Sequence, residues 1–179
     1  MKKTETDIIT ETVDFHFKEA ESSNISDILA NERTPTARIA AMRHPSATAD
    51  HISQVLNDRD EDWTVKTAAI QHPNVTADHI SQVLNNRDSN GRLRMLAAKH
   101  PNATEKHISQ VLDYDDNTGP RITGPGPDLD PDVRIAAIKH PKATAAHIES
   151  VLKNETDPDV ADAAHAVKRS KEASSTGGI

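Results

Sequence analysis

Eight of the ten histidines stand in two periodic columns. His44, His72, His100 and His140 each precede a proline, and His51, His79, His107 and His147 each follow seven residues later. Imidazole suits two kinds of chemistry, metal ligation and proton exchange near neutral pH. Zinc holds nitrogen ligands at about 2.0–2.1 Å, whereas packed helices lie about 8–10 Å apart, which makes an ion shared between units a stretch. Within a unit, His44 and His51 face each other across a short turn, yet two imidazoles without a cysteine form a poor structural site. The eight rings stand as metal candidates, but packing and the capping of helix ends account for them better. A response to pH is the more credible chemistry, because protonating every histidine would carry the formal charge of −7 to the positive side.

Carboxylates form a second group. Asp58, Asp60, Glu61, Asp62, Asp88, Asp113, Asp115, Asp116, Asp128, Asp130, Asp132, Glu155, Asp157 and Asp159 place half of the 28 acids on loops that recur at one edge. Asp58 to Asp62 has the alternation of a calcium loop, but it lacks the glycine at the sixth position and the closing glutamate. Helix capping and solvation explain most of these acids. Trp63, Tyr114, Arg121 and Ile122 share that edge, and an aromatic beside acids is a plausible anchor for a basic protein partner. The contrary reading of Trp63 is a cover for its own loop. A third group is polar and repeated: Asp50 and Gln54, Asp78 and Gln82, and Gln110 occupy solvent positions on successive helices, where they offer a surface for a protein partner or simply record recent duplication.

The elements that position these residues follow from a repeated stretch, RIAAMRHPSATADHISQVLNDRDEDW, which starts at Arg38. Aligned on the His-Pro step, the copies are spaced by 28, 28 and 40 residues. A period in this range marks stacked supersecondary units. In each unit a short apolar helix A begins after Thr34, Asp62, Asn90, Asp130 or Asp157, all residues suited to capping an N-terminus. It must end at the histidine, because a proline pushes the residue before it out of the helical region. Thr48, Thr76, Thr104 and Thr144 then cap helix B, whose buried stripe is Ile52, Val55, Leu56 and its equivalents. Helices this short are marginal alone, so each pair must lean on the next.

The chain divides accordingly into a degenerate N-terminal capping unit (1–33), repeats at 34–61, 62–89, 90–129 and 130–156, a C-terminal capping helix (157–170) and a frayed tail (171–179). The third repeat carries a Gly/Pro-rich insert at 113–129, which is either a binding element or a tolerated loop. At 179 residues the chain is long enough for one domain with a continuous core, and no apolar run approaches a membrane span. The N-terminus lacks the apolar core of a secretory signal, so a cytoplasmic location is expected. Cysteine is absent, which removes disulfides, thiolate metal sites and cysteine nucleophiles. With 28 acids against 21 bases, the charge opposes binding to a phosphate backbone. Four aromatic residues are too few for a platform that stacks single strands. No nucleophile–base pair, phosphate-cradling loop or convergent carboxylate pair stands out, so neither catalysis nor a cofactor is expected.

The units DPDVRIAAIKHPKAT and TVKTAAIQHPNVT resemble the leucine-rich repeat variant and, more broadly, the HEAT-like α-solenoids, in which a V-R-x-A-A helix precedes an N/H-P-x-x-T turn and a second short helix. The resemblance covers about residues 34–167. It implies an all-α, right-handed solenoid that serves as a protein-binding scaffold, as similar arrays do in bacteria and their phages. It also implies that helix B can be a tighter 3₁₀ helix at its start. The iron–sulfur module of one such protein needs cysteine ligands that this chain lacks. The DNA-repair branch of the HEAT-like proteins uses a basic groove, which the acidic balance disfavours.

Overall fold

The computed structural model describes residues 22–86, 89–112, 128 and 130–176. These residues form helices and no strand, in the order α1 (Ser22–Asn31), α2 (Pro35–Arg43), α3 (Ala49–Asn57), α4 (Trp63–Ile70), α5 (Ala77–Asn85), α6 (Gly91–Lys99), α7 (Glu105–Leu112), α8 (Pro131–Ile138), α9 (Ala145–Asn154) and α10 (Pro158–Thr176). Where the sequence leads one to expect a single continuous core, contacts gather into two compact units, one up to Thr76 and one from Ala77. Short repeats touch mainly their neighbours in sequence, which favours such local grouping.

In the first unit α2 packs on α4, α1 packs on α3, and α1 and α3 also meet the helix that follows each of them. Ile25, Leu29, Met42, Ile52, Val55, Val65 and Ile70 fill its core. In the second unit α6 packs on α8 and α8 on α10, while α5 packs on α7 and α7 on α9. Ile80, Val83, Leu93, Ile108, Val111, Val133, Ile138, Ile148, Val151 and Val160 are buried there. Within each unit, first helices therefore meet first helices and second helices meet second helices. Alanines at the contact, such as Ala41, Ala69, Ala97 and Ala137, are buried and let the first helices approach closely.

The backbone turn between the helices is the same each time. Ala47, Val75, Ala103 and Ala143 donate N–H bonds of 2.8–3.0 Å to the carbonyls of His44, His72, His100 and His140. Each closes a β-turn with proline at its second position, where the fixed φ of that residue fits. The second helices are α-helical throughout the described residues, not 3₁₀ at their starts.

Most of the expected helix caps are made. Asp62, Asn90, Asp130 and Asp157 accept from the N–H groups of Thr64, Arg92, Asp132 and Asp159. Thr34 departs from expectation, since its side chain makes no cap bond and Pro35 at the first helical position does the starting. Gly91 sits close to the next cap: a Cβ there would come within 1.9 Å of the Asp130 carboxylate. Leu56 and Leu152 are half-buried rather than fully inside. The last helix also runs further than expected. Residues 171–176, read from sequence as tail, continue α10, and Lys171 Nζ donates to the Ala143 carbonyl at 2.9 Å.

Candidate functional site

Both ring nitrogens of His51, His72, His107, His140 and His147 are used for hydrogen bonding. In the His-Pro column, Nδ1 of His44, His72, His100 and His140 accepts the backbone N–H two residues on, from Ser46, Asn74, Asn102 and Lys142, at 3.1–3.2 Å. An amide can only donate, so each Nδ1 must be bare, and the neutral ring carries its proton on Nε2. That proton reaches back one repeat. His72 Nε2 donates to the His44 carbonyl at 3.1 Å, and His140 Nε2 to the His100 carbonyl at 3.2 Å.

The second column works by the same logic on helix B. Thr48 N donates to Nδ1 of His51 at 3.1 Å, while the Thr48 hydroxyl accepts from His51 N, so the pair forms a capping box in which histidine replaces the usual glutamate or glutamine. Thr104 with His107, and Thr144 with His147, repeat it. Nε2 of His51, His107 and His147 then meets the hydroxyl of Ser26, Ser81 and Ser109, each at 2.8 Å. Ser109 gives its own proton to the Glu105 carbonyl, so it must accept from His147. The rings are buried or nearly so, His79 included.

This geometry bears on the metal reading. A ligand nitrogen needs a free lone pair, and here Nδ1 spends it on an amide while Nε2 holds a proton. No group of three His, Asp or Glu side chains converges as a metal cage among the described residues. Burial pushes the His51 ring below the ordinary imidazole value against the opposing pull of Asp50. Burial does the same to His107, helped by Lys106 and Lys142 and opposed by Asp78. His140 is lowered by burial, with its bond to the His100 carbonyl acting the other way and Lys142 adding to the depression.

Part of the acidic edge is likewise committed to the frame, through three aligned arginines that hold Glu61, Asp128 and Glu155, while Asp88, Asp113, Asp115 and Asp116 lie outside the described residues. Arg38, aligned with Arg94 and Arg134, is a buried cation on helix A. Its guanidinium grips both oxygens of Glu61 and also donates to the carbonyls of Leu29 at 2.5 Å and Glu32 at 3.2 Å. Arg134 repeats this with Glu155 at 2.9 Å and the Asp128 carbonyl at 2.6 Å. Arg94 holds Asp128 at 2.9 Å and the Ser89 carbonyl. Each arginine thus ties the loop before its repeat to the loop after it. Of the Asp58–Asp62 run, Glu61 is spent on Arg38, Asp58 accepts from Asp60 N, and Asp62 accepts from both Thr64 N and the Thr64 hydroxyl. Hydrogen bonds from the Thr64 side chain and then its backbone hold the Asp62 carboxyl below the usual range.

The proposed partner-facing residues fall into three groups. Trp63 is 53 % exposed and is the exposed large hydrophobic residue among the described residues. Asp50, Gln54 and Asp78 are exposed on their helices, whereas Gln82 is half-buried and Gln110 donates to Asn85 Oδ1 at 2.7 Å. Tyr114, Arg121 and Ile122 lie outside the described residues. Asp128, placed by the sequence reading inside the insert, belongs to the frame: its N–H bonds the Val111 carbonyl at 2.9 Å, which brings the two ends of the insert together.

No protein-family model, curated protein or solved structure matches the chain. No helix among the described residues is long and apolar enough to cross a membrane.

Proposed function

We propose that this chain is a right-handed HEAT-like α-solenoid of two-helix repeats, closed by a cap at each end, and that it acts as a non-enzymatic scaffold for a protein partner. One observation carries the reading: among the described residues the paired arginines, several of the carboxylates and most of the repeated histidines make hydrogen bonds within the frame, while Asp50, Gln54 and Trp63 of the first unit and Asp78 of the second are exposed. A surface built from equivalent positions on successive helices is how repeat arrays meet other proteins. Its acidic character suits a partner with a basic face, and the same net charge of −7 works against a phosphate backbone.

The test is affinity capture from the native cell with the full chain and with Trp63→Ala. A stoichiometric partner retained by wild type and lost by the variant, with both melting at the same temperature, supports the scaffold. Capture that ignores Trp63→Ala and a combined Asp50→Lys, Asp78→Lys variant, or no stoichiometric partner at all, ends it.

A further inference from the structure

We propose that the two histidine columns form an acid-labile latch between repeats, in which protonating a ring breaks the bond that ties one helix pair to the next. The device is a property of the frame and stands whether or not the surface binds a partner.

The argument is one of donors and acceptors. Nδ1 of His51, His107 and His147 accepts the N–H of Thr48, Thr104 and Thr144, and the same ring reaches back through Nε2 to Ser26, Ser81 and Ser109. His72 and His140 combine an amide at Nδ1 with a carbonyl of the preceding repeat at Nε2. A proton added at Nδ1 would point a donor at a donor within 3.0–3.1 Å. In the second column the threonine hydroxyl, 3.0–3.2 Å from the same Nδ1, is the acceptor left to the new proton, so the ring must turn from the amide toward it or leave, and either movement strains the Nε2 contact. Glutamate or glutamine at this capping position makes the same amide bond without an imidazole's proton uptake near neutrality.

The charged groups around the rings do not rescue the cation. Asp50 faces His51 and Asp78 faces His107 from α5, but Lys106 and Lys142 face His107 and Lys142 also faces His140. Burial outweighs the two acids, and the three rings sit below the ordinary imidazole value. The unfolded chain therefore takes up protons first as pH falls. Stability is complete above about pH 6.5, where an unfolded histidine is neutral, and is lost as pH drops through the lower values of the folded rings.

The test uses the full chain and two measurements. Ring ¹⁵N NMR at about pH 7.5 should show the Nε2–H tautomer at His51, His107 and His147, and on acidification proton uptake at His51 and His107 should coincide with loss of exchange protection at the N–H of Thr48 and Thr104. In parallel, the melting temperature of wild type should fall between about pH 7.5 and 5.5, and that of a combined His51→Gln, His107→Gln, His147→Gln variant should fall less than about half as far. Rings that titrate near pH 6.5 with fold and amide protection intact would overturn the latch. A glutamine variant as acid-sensitive as wild type would overturn it too. Should the variant fail to fold, the ring titration of the wild type decides alone.

Discussion

At the scale of single residues, the structure separates groups that hold the frame from one that strains it. Thr67 occupies, on α4, the register of Ile39 and Ile135, and its buried hydroxyl has no hydrogen-bond partner among the described residues. An unpaired buried polar atom costs about 1–3 kcal/mol, and valine keeps the shape without the oxygen. Thr67→Val should therefore raise unfolding stability by about 1 kcal/mol in a urea titration, with an unchanged slope. Glu61 lies at the other extreme, its side chain 5 % exposed against Arg38. Glu61→Ala leaves that guanidinium buried without its counter-charge and should cost about 3 kcal/mol in the same titration. The register of Arg38, Arg94 and Arg134 is plain in the sequence, but their burial is not, because the acid each one grips lies 23, 34 and 21 residues on, with no fixed interval. The histidine columns were equally plain as columns. Their part in capping helix ends was expected, but the bond each ring makes to the preceding pair was not, because it depends on the tautomer that neighbouring donors decide.

At the scale of elements, the helices follow the sequence pattern closely because their signals are local: a capping residue, a proline that ends helix A, and an aliphatic stripe on helix B. The exception is α10, whose extension through Thr176 draws on a tertiary contact, Lys171 to the Ala143 carbonyl. That lysine takes a place filled in earlier repeats by Asn74, bonded to the Ala47 carbonyl at 2.7 Å, and Lys142, bonded to that of Ala103 at 2.5 Å. No periodicity within α10 announces such a contact. The insert gives the element-scale prediction. Since Asp128 is held by Arg94 and by the Val111 carbonyl, replacing residues 114–126 with a short Gly/Ser linker should shift the melting temperature little. The same deletion carried through Asp128 should cost about 3 kcal/mol, because it strands Arg94, and denaturation of the two deletions side by side checks this.

At the scale of the whole chain, stability is expected to reside in joints between pairs rather than in any pair. A synthetic peptide of residues 34–61 holds two nine-residue helices but lacks Ser26, which His51 engages, and the Leu29 and Glu32 carbonyls that Arg38 engages. It should be mostly unstructured by far-ultraviolet circular dichroism, since isolated helices shorter than about 12–15 residues are marginal in water. The backward reach of the rings has a consequence for how such a chain can change over time. His51 on α3 meets a serine hydroxyl on α1, and Ser81 and Ser109 offer one to the second helix of the pair that follows, so the plug at one end of a module matches the socket at the other. A gene segment encoding one module can accordingly be copied in tandem without inventing a new interface, and length becomes a trait that selection can adjust one module at a time.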